Sequence, residues 1–271
     1  MRQLDLFSPD QETFRHGYRL IERLQITEAI EVFEGLGKRY DDVEDVVDDA
    51  VGTCRWWLAA EAEAEDLEGL ERAETLWTCL ESGQRGTAWI HLRRGVAEHL
   101  LDDLGHLGFE MASGGLCVGR LLAESDHFRQ AEAWYFEALG QRPEDGVLRC
   151  QYGDLLWGMK RPLEARAQWQ RVLLSCADDF SVEGVRDRQL AEIVDIYGPE
   201  MAPVYGWIAR VLPFPEEAWG LPESRALGIL SLIEKAEDSR RLRSHDQMIA
   251  SRKELMEKEP DIFSAYMARV G

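Results

Sequence analysis

Small and aromatic residues recur along the chain at fixed separations. Gly17 is followed twelve residues later by Ala29 and sixteen later by Phe33. Gly119, Ala131 and Tyr135 repeat those spacings, and so do Gly153, Ala165 and Trp169, the last two sets offset by 34 residues. A weaker set keeps Trp57, Ala73 and Trp77 but has Glu61 in place of the glycine. Self-similarity at a period of this length marks stacked copies of one supersecondary unit. Small residues suit the point where two helices approach most closely, because a larger side chain holds the axes apart. The aromatic four residues after the alanine lies on the same face of the second helix, where it can fill the gap to the next hairpin.

The pattern predicts an all-α chain with antiparallel helix pairs at 10–43, 112–145 and 146–179, and degenerate pairs at 54–87 and about 229–262. Residues 44–53 lengthen an earlier helix, and a helical segment from Ala88 to Met111 precedes the best pairs. Gly114-Gly115 and Gly119 open the first helix of the clearest pair. Further helices are expected near Val182–Tyr197 and Met201–Leu212, with the turn-rich stretch from Pro213 to Pro222 as the best candidate hinge. Pro143, Pro162, Pro199, Pro203 and Pro260 fall between periodic segments, as they must, since proline removes a helix donor and clashes with the preceding turn.

These units resemble the tetratricopeptide repeat, whose 34-residue hairpin carries the same small–small–aromatic–proline pattern. The resemblance is strong for 112–145 and 146–179 and good for 10–43. It implies a right-handed helical-hairpin solenoid in which each repeat touches its neighbours, with two lobes able to form about 88–111. The expected segments are a linear N-terminus at 1–9, a repeat lobe at 10–87, an intervening helix at 88–111, central repeats at 112–212, and a degenerate repeat and cap at 213–271. The resemblance further implies a concave groove lined by the first helix of each hairpin, with Phe14, Tyr18, Arg120, Asp154 and Trp157 facing a partner. Family members that grip a C-terminal carboxylate present Lys, Arg and Asn there. This chain offers Arg120 followed by Asp154, which points to a mixed apolar groove rather than a carboxylate clamp. The function implied is a scaffold or adaptor that binds a protein or peptide partner.

Charge narrows the choice of partner. The chain has 31 basic and 51 acidic residues and a formal charge of −20, so a polyanion such as DNA is repelled and direct nucleic-acid binding is disfavoured. Between Asp41 and Glu74, thirteen acidic residues stand against Arg55 and Arg72. That stretch, with Trp56 in it, suits a basic partner segment and equally serves solubility. Five cysteines with no C-x-x-C pair read as reduced thiols, Met1-Arg2-Gln3 leads into no apolar signal region, and the apolar run Ala226 to Ile233 is too short to span a bilayer. The expectation is a cytoplasmic protein without membrane contact.

The candidate chemistry is thin. His91, Glu98, His99, Asp102, Asp103 and His106 form one metal-like cluster, and Glu124 and His127 repeat an E-x-x-H spacing. Polar residues on solvated helix faces are the simpler reading, with Glu124 and His127 at a helix–helix turn. No nucleophile elbow, glycine-rich phosphate loop or H-E-x-x-H motif occurs in the sequence, so no catalytic residue, metal ligand or cofactor is assigned. An enzyme or metal-binding protein on a helical-repeat scaffold is the alternative. Trp57, Trp77 and Trp169 are expected between helices, whereas Trp56, Trp157, Trp207 and Trp219 are less determined.

Gln3-Leu4-Asp5-Leu6-Phe7 resembles the short peptide by which bacterial replication and repair proteins dock on the DNA sliding clamp. Leu6 and Phe7 would be the apolar anchors and Gln3 the polar handle. Ser8-Pro9-Asp10 places the start of the first helix after the motif. The alternative is that Leu4, Leu6 and Phe7 pack as a strap on the first repeat.

Overall fold

The computed structural model describes residues 9–40, 43–83, 86–109, 115–182, 185–215 and 221–270. The pentapeptide Gln3–Phe7 and Trp219 lie outside the described residues. The described chain is all-α, with fourteen α-helices and no strand among them. It divides into two compact units, Met1–Trp134 and Tyr135–Gly271.

The first unit contains α1 (Pro9–Glu22), α2 (Ile26–Gly37), α3 (Glu44–Glu63), α4 (Gly69–Ser82), α5 (Thr87–Leu104) and α6 (Val118–Glu124). The division falls inside α7 (Phe128–Gln141), not at 88–111. The reason is that α5 is an internal helix of the first unit, packed against α1, α3, α4 and α6. Its buried stripe of Ala88, Leu92, Val96 and Leu100 completes the core that Phe33, Trp57 and Trp77 begin. The expected helix from Ala88 to Met111 is shorter. It stops at Leu104, followed by a 3₁₀ turn at Gly105–Leu107 and by Gly108 at φ +61. The start of α5 is fixed from a distance, because the carboxylate of Asp49 on α3 accepts from the Ala88 backbone N–H at 3.1 Å.

The second unit contains α8 (Gly146–Gly158), α9 (Pro162–Ser175), α10 (Arg188–Tyr197), α11 (Ala202–Ile208), α12 (Arg225–Arg241), α13 (His245–Lys258) and α14 (Pro260–Val270). Asp145 caps α8 by accepting from Leu148 N–H, and Ser224 caps α12 by accepting from Leu227 N–H. Pro162, Pro203 and Pro260 lie in the first turns of their helices, where the missing N–H has no intrahelical partner to lose. Asp187 caps α10 through Gln189 and Leu190 N–H and also binds Arg166 at 2.7 Å, which ties α9 to α10.

The structure adds one feature to the repeat signature and corrects one reading of it. The aromatic at the third position folds back over the glycine of its own hairpin. A Cβ on Gly17 would lie 2.7 Å from Phe33, and one on Gly153 would lie 2.5 Å from Trp169. Tyr135 does reach the following hairpin, with its hydroxyl 3.1 Å from Gln151 and its ring stacked on Tyr152 at 5.8 Å. The correction concerns α6, which begins at Val118, so Gly115 at φ +74 precedes the helix instead of opening it.

A regularity that the sequence does not display is the way the hairpins turn. Leu24, Asp126, Lys160 and Arg243 each have φ between +56 and +64, the left-handed region, directly after α1, α6, α8 and α12. Each is followed by a residue whose N–H bonds five residues back: Gln25 to Leu20, His127 to Leu122, Arg161 to Leu156 and Ser244 to Ser239, all at 2.8–2.9 Å. These are Schellman-type closures made without glycine. Each left-handed residue stands seven positions after Gly17, Gly119, Gly153 or Ala236 respectively.

Candidate binding surface

Two of the residues expected in a groove, Tyr18 and Arg120, belong to a polar belt around α5 in the first unit. Along α1, Phe14, Tyr18 and Glu22 follow at i, i+4 and i+8 and share a face. Phe14 and Tyr18 pack on Phe33, with ring centroids 6.3 and 5.2 Å away, and both are half-buried. The Tyr18 ring also stacks on His91 of α5 at 4.6 Å. Burial, with the charge of Asp49 adding to it, raises the Tyr18 hydroxyl pKa, so it stays a neutral donor and acceptor at physiological pH.

Glu22 gathers two side chains of α5, a histidine and an arginine. One of its oxygens lies 2.8 Å from His91 Nδ1 and 3.0 Å from Arg94, and Arg94 continues to Asp126 beyond α6. This meeting of helices requires Gly95. A Cβ there would fall 2.2 Å from the Glu22 carbonyl oxygen, and backbone cannot step aside as a flexible side chain can. Next along the belt, Arg93 forms a fork with both carboxylate oxygens of Glu124, each at 2.8 Å, while its guanidinium lies 4.9 Å from the Trp77 ring. Arg120 sits over the same Trp77 at 5.6 Å and pairs with Glu81. The buried Trp77 thus gives two arginines a flat apolar seat, and two carboxylates hold their outer edges.

Asp154 and Trp157 lie on α8 in the second unit. Trp157 is half-buried, tilted against Trp169 at 5.7 Å and covered by Arg166 at 5.8 Å. Asp154 neighbours Cys150. Burial first, then the charges of Asp154, Asp179 and Cys176, push the Cys150 thiol up to about 12. Burial likewise raises the Cys54 thiol to about 11. Neither is a thiolate at neutral pH, so neither has the character of a catalytic nucleophile.

Trp56 does not stand free beside the acidic stretch. It is half-buried, edge-on against Trp89 at 4.7 Å, because α3 places it toward α5. Trp57, Trp77 and Trp169 are buried as expected, and Trp207 is buried as well. In the acidic stretch, Glu44, Asp45, Asp48, Glu63, Glu65, Asp66, Glu68 and Glu71 are exposed and Glu61 is half-buried, whereas Asp49 is taken up by the start of α5.

The metal-like residues are dispersed. His91 is engaged by Glu22 and Tyr18, and Glu124 by Arg93. His99 and Asp103 are exposed and 3.7 Å apart. His106 falls in the 3₁₀ turn, where the i, i+4 register with Asp102 is lost. Among the described residues no three His, Cys, Asp or Glu are grouped to hold a metal ion, and no helix is long and apolar enough to cross a membrane. Sequence reasoning missed Glu22, Trp77, Arg93 and Arg94 as members of the belt. The partners of Glu22 on α5 lie 69 and 72 residues away along the chain, and no local spacing records such a pairing. No protein-family model matches the chain, and neither a curated protein nor a solved structure matches it.

Proposed function

We propose that this chain is a tetratricopeptide-like helical-hairpin repeat protein that works as a scaffold or adaptor, binding a protein or peptide partner and catalysing no reaction. The observation that carries the reading is the recurrence of one hairpin closure. Three hairpins turn through a left-handed residue seven positions after the glycine of the repeat, and α12 ends in the same closure. A unit repeated in both signature and turn geometry is what a stacked-hairpin solenoid requires, and such arrays characteristically present extended binding surfaces. The partner reading rests on fold analogy, together with the mixed aromatic and charged residues Phe14, Tyr18 and Arg120 on α1 and α6 and Asp154 and Trp157 on α8. The exposed acidic residues of α3 and α4 favour a basic partner segment.

The motif Gln3-Leu4-Asp5-Leu6-Phe7 gives this reading a named partner, the bacterial DNA sliding clamp, and a cytoplasmic setting. It would bring a chain of charge −20 to DNA through a protein and not through phosphate contacts. The test is calorimetric titration of purified clamp with the whole chain and with a Leu6→Ala, Phe7→Ala double variant. Saturable binding that the double variant loses by at least about tenfold supports it. Equal binding by both, or none by either, rejects the clamp as partner. The broader reading is tested by affinity capture from the native cytoplasm with the wild-type chain and with Tyr18→Ala. A protein held in stoichiometric amount by the first and lost by the second is expected, and no stoichiometric partner overturns the adaptor reading.

A further inference from the structure

The C-terminal helices of the second unit gather arginine in a chain whose overall charge is −20. Val204, Trp207, Ile229, Ile233 and Tyr266 pack α11, α12 and α14 together. Beside that core lies a cavity of about 470 Å³, within the range of small-ligand sites. Trp207 and Phe214 form its apolar wall, with rings edge-to-face at 6.0 Å. Arg210, Arg240, Arg241 and Arg269 line it against the carboxylates Glu234, Glu237 and Asp238, an excess of one positive charge.

The ion pairs leave that excess on two particular residues. Arg240 binds Glu237 at 2.6 Å and Arg241 lies 3.6 Å from Asp238. Glu237 is further occupied by the Tyr266 hydroxyl, which donates to it at 2.5 Å, and by Arg252, which approaches it at 3.9 Å from outside the cavity lining. Arg269 has no such carboxylate among the described residues. Its guanidinium lies over the Trp207 ring at 3.5 Å, and its buried Nη1 has no acceptor among the described residues. Arg210 also has no ion pair among the described residues. It is held at φ +63 by the bond from Val211 N–H to the Gly206 carbonyl, which fixes its Cα at the edge of the cavity. Burial and then the like charge of Arg210 lower the Arg269 pKa, with Glu237 opposing them. Two arginines that repel each other across one cavity are stabilised together by one shared anion.

We infer that this cavity binds a monoanionic carboxylate carried on a compact apolar group, with the carboxylate shared by Arg269 and Arg210 and the apolar body against Phe214 and Trp207. The planar guanidinium fork matches a carboxylate in two parallel hydrogen bonds. A single negative charge balances the excess of one, whereas a dianionic phosphate ester would leave uncompensated charge facing Glu234. The site lies wholly within the second unit.

The test is isothermal titration of the whole chain with 3-phenylpropionate, its neutral amide and phenyl phosphate. The expected result is saturable one-to-one binding of the acid, at least about tenfold tighter than the amide. Arg269→Gln and Arg210→Gln each lower the affinity for the acid about tenfold and leave the amide unchanged, while Arg243→Gln, outside the cavity, has no effect. Arg210 is exposed, so its variant keeps the test decisive if Arg269→Gln fails to fold. Equal affinity for acid and amide, no saturable binding of the acid, or undiminished binding by the folded variants overturns the site. Tighter binding of phenyl phosphate than of the acid overturns its assignment to a monoanion.

Discussion

Gly17 and Gly153 lack side chains because a ring occupies the place of their Cβ, Phe33 in one hairpin and Trp169 in the other. Trp169 is fully buried and its Nε1 donates to the Cys150 carbonyl at 3.3 Å, so the indole cannot slide away to make room. Gly153→Ala is therefore expected to destabilise the chain by about 1–3 kcal/mol, read as a lower denaturant midpoint with an unchanged slope. Ala165→Leu, at a fully buried position of α9, should cost a similar amount. Wild-type stability in both variants would contradict the packing described. The Cys150 thiol supplies a chemical probe of the same region. With its pKa raised to about 12, its alkylation by iodoacetamide at pH 8 should run on the order of a thousandfold slower than that of an ordinary thiol. The rate should still climb with each added pH unit, because the thiolate fraction grows until pH passes the raised pKa. A rate already level at pH 9 would show the thiol to be unburied.

The elements are set by their ends as much as by their faces. Lys160, in the left-handed region at φ +63, bears a cost of roughly 1–2 kcal/mol that glycine would not bear. Glycine loses part of that gain through a freer unfolded chain. Stability at position 160 should thus rank glycine at or above lysine and place valine lowest, below glycine by about 1 kcal/mol or more, measured by thermal unfolding. A valine variant as stable as the glycine variant would exclude the left-handed turn. At the next boundary, Asp187 is 3% exposed and both caps α10 and binds the largely buried Arg166. Asp187→Ala removes a cap and strands a charge, so a loss of roughly 3 kcal/mol is expected, with helical signal lost first in the second unit. Asp187→Asn, which keeps the cap, should cost less. Equal losses would assign the whole effect to the ion pair.

For the whole molecule, charge is the property with the longest reach. The exposed carboxylates of α3 and α4 act on an approaching partner over about 8–10 Å, the distance at which salt screens them. If a basic segment docks there, Glu61→Lys, Glu65→Lys and Glu68→Lys together should slow association while leaving dissociation nearly unchanged. Raising salt should mimic the triple variant in stopped-flow measurements with the captured partner. Salt-insensitive association would remove the acidic stretch from the binding surface. The belt around α5 answers to a different physics. Arg93, Arg94 and Arg120 are already paired with Glu124, Asp126 and Glu81, so charge there fixes helix to helix before it is offered to any partner.

The helices themselves follow from local information. The 34-residue spacing of Gly119, Ala131 and Tyr135 with Gly153, Ala165 and Trp169 marks the pairs, because small and large residues must alternate wherever two helices cross. Prolines stay out of helix interiors, and Pro162, Pro203 and Pro260 sit in first turns, where a missing N–H costs no helical bond. What stayed hidden depends on residues far apart in the chain. Nothing near Trp56 says that Trp89 will cover it, and nothing near Asp49 says that it will cap α5. The left-handed closures at Leu24, Asp126, Lys160 and Arg243 are hidden for another reason. No glycine announces them, since packing of the two helices, and not backbone preference, holds those residues in place. The arginine cavity is the extreme case: Arg210 and Arg269 stand 59 positions apart and meet only because α11 and α14 pack on one core. Residue identity and periodicity settled which segments are helices. Tertiary packing alone decided which polar groups those helices bring together, because an ion pair or a cavity depends on distance in space and leaves no period in the sequence.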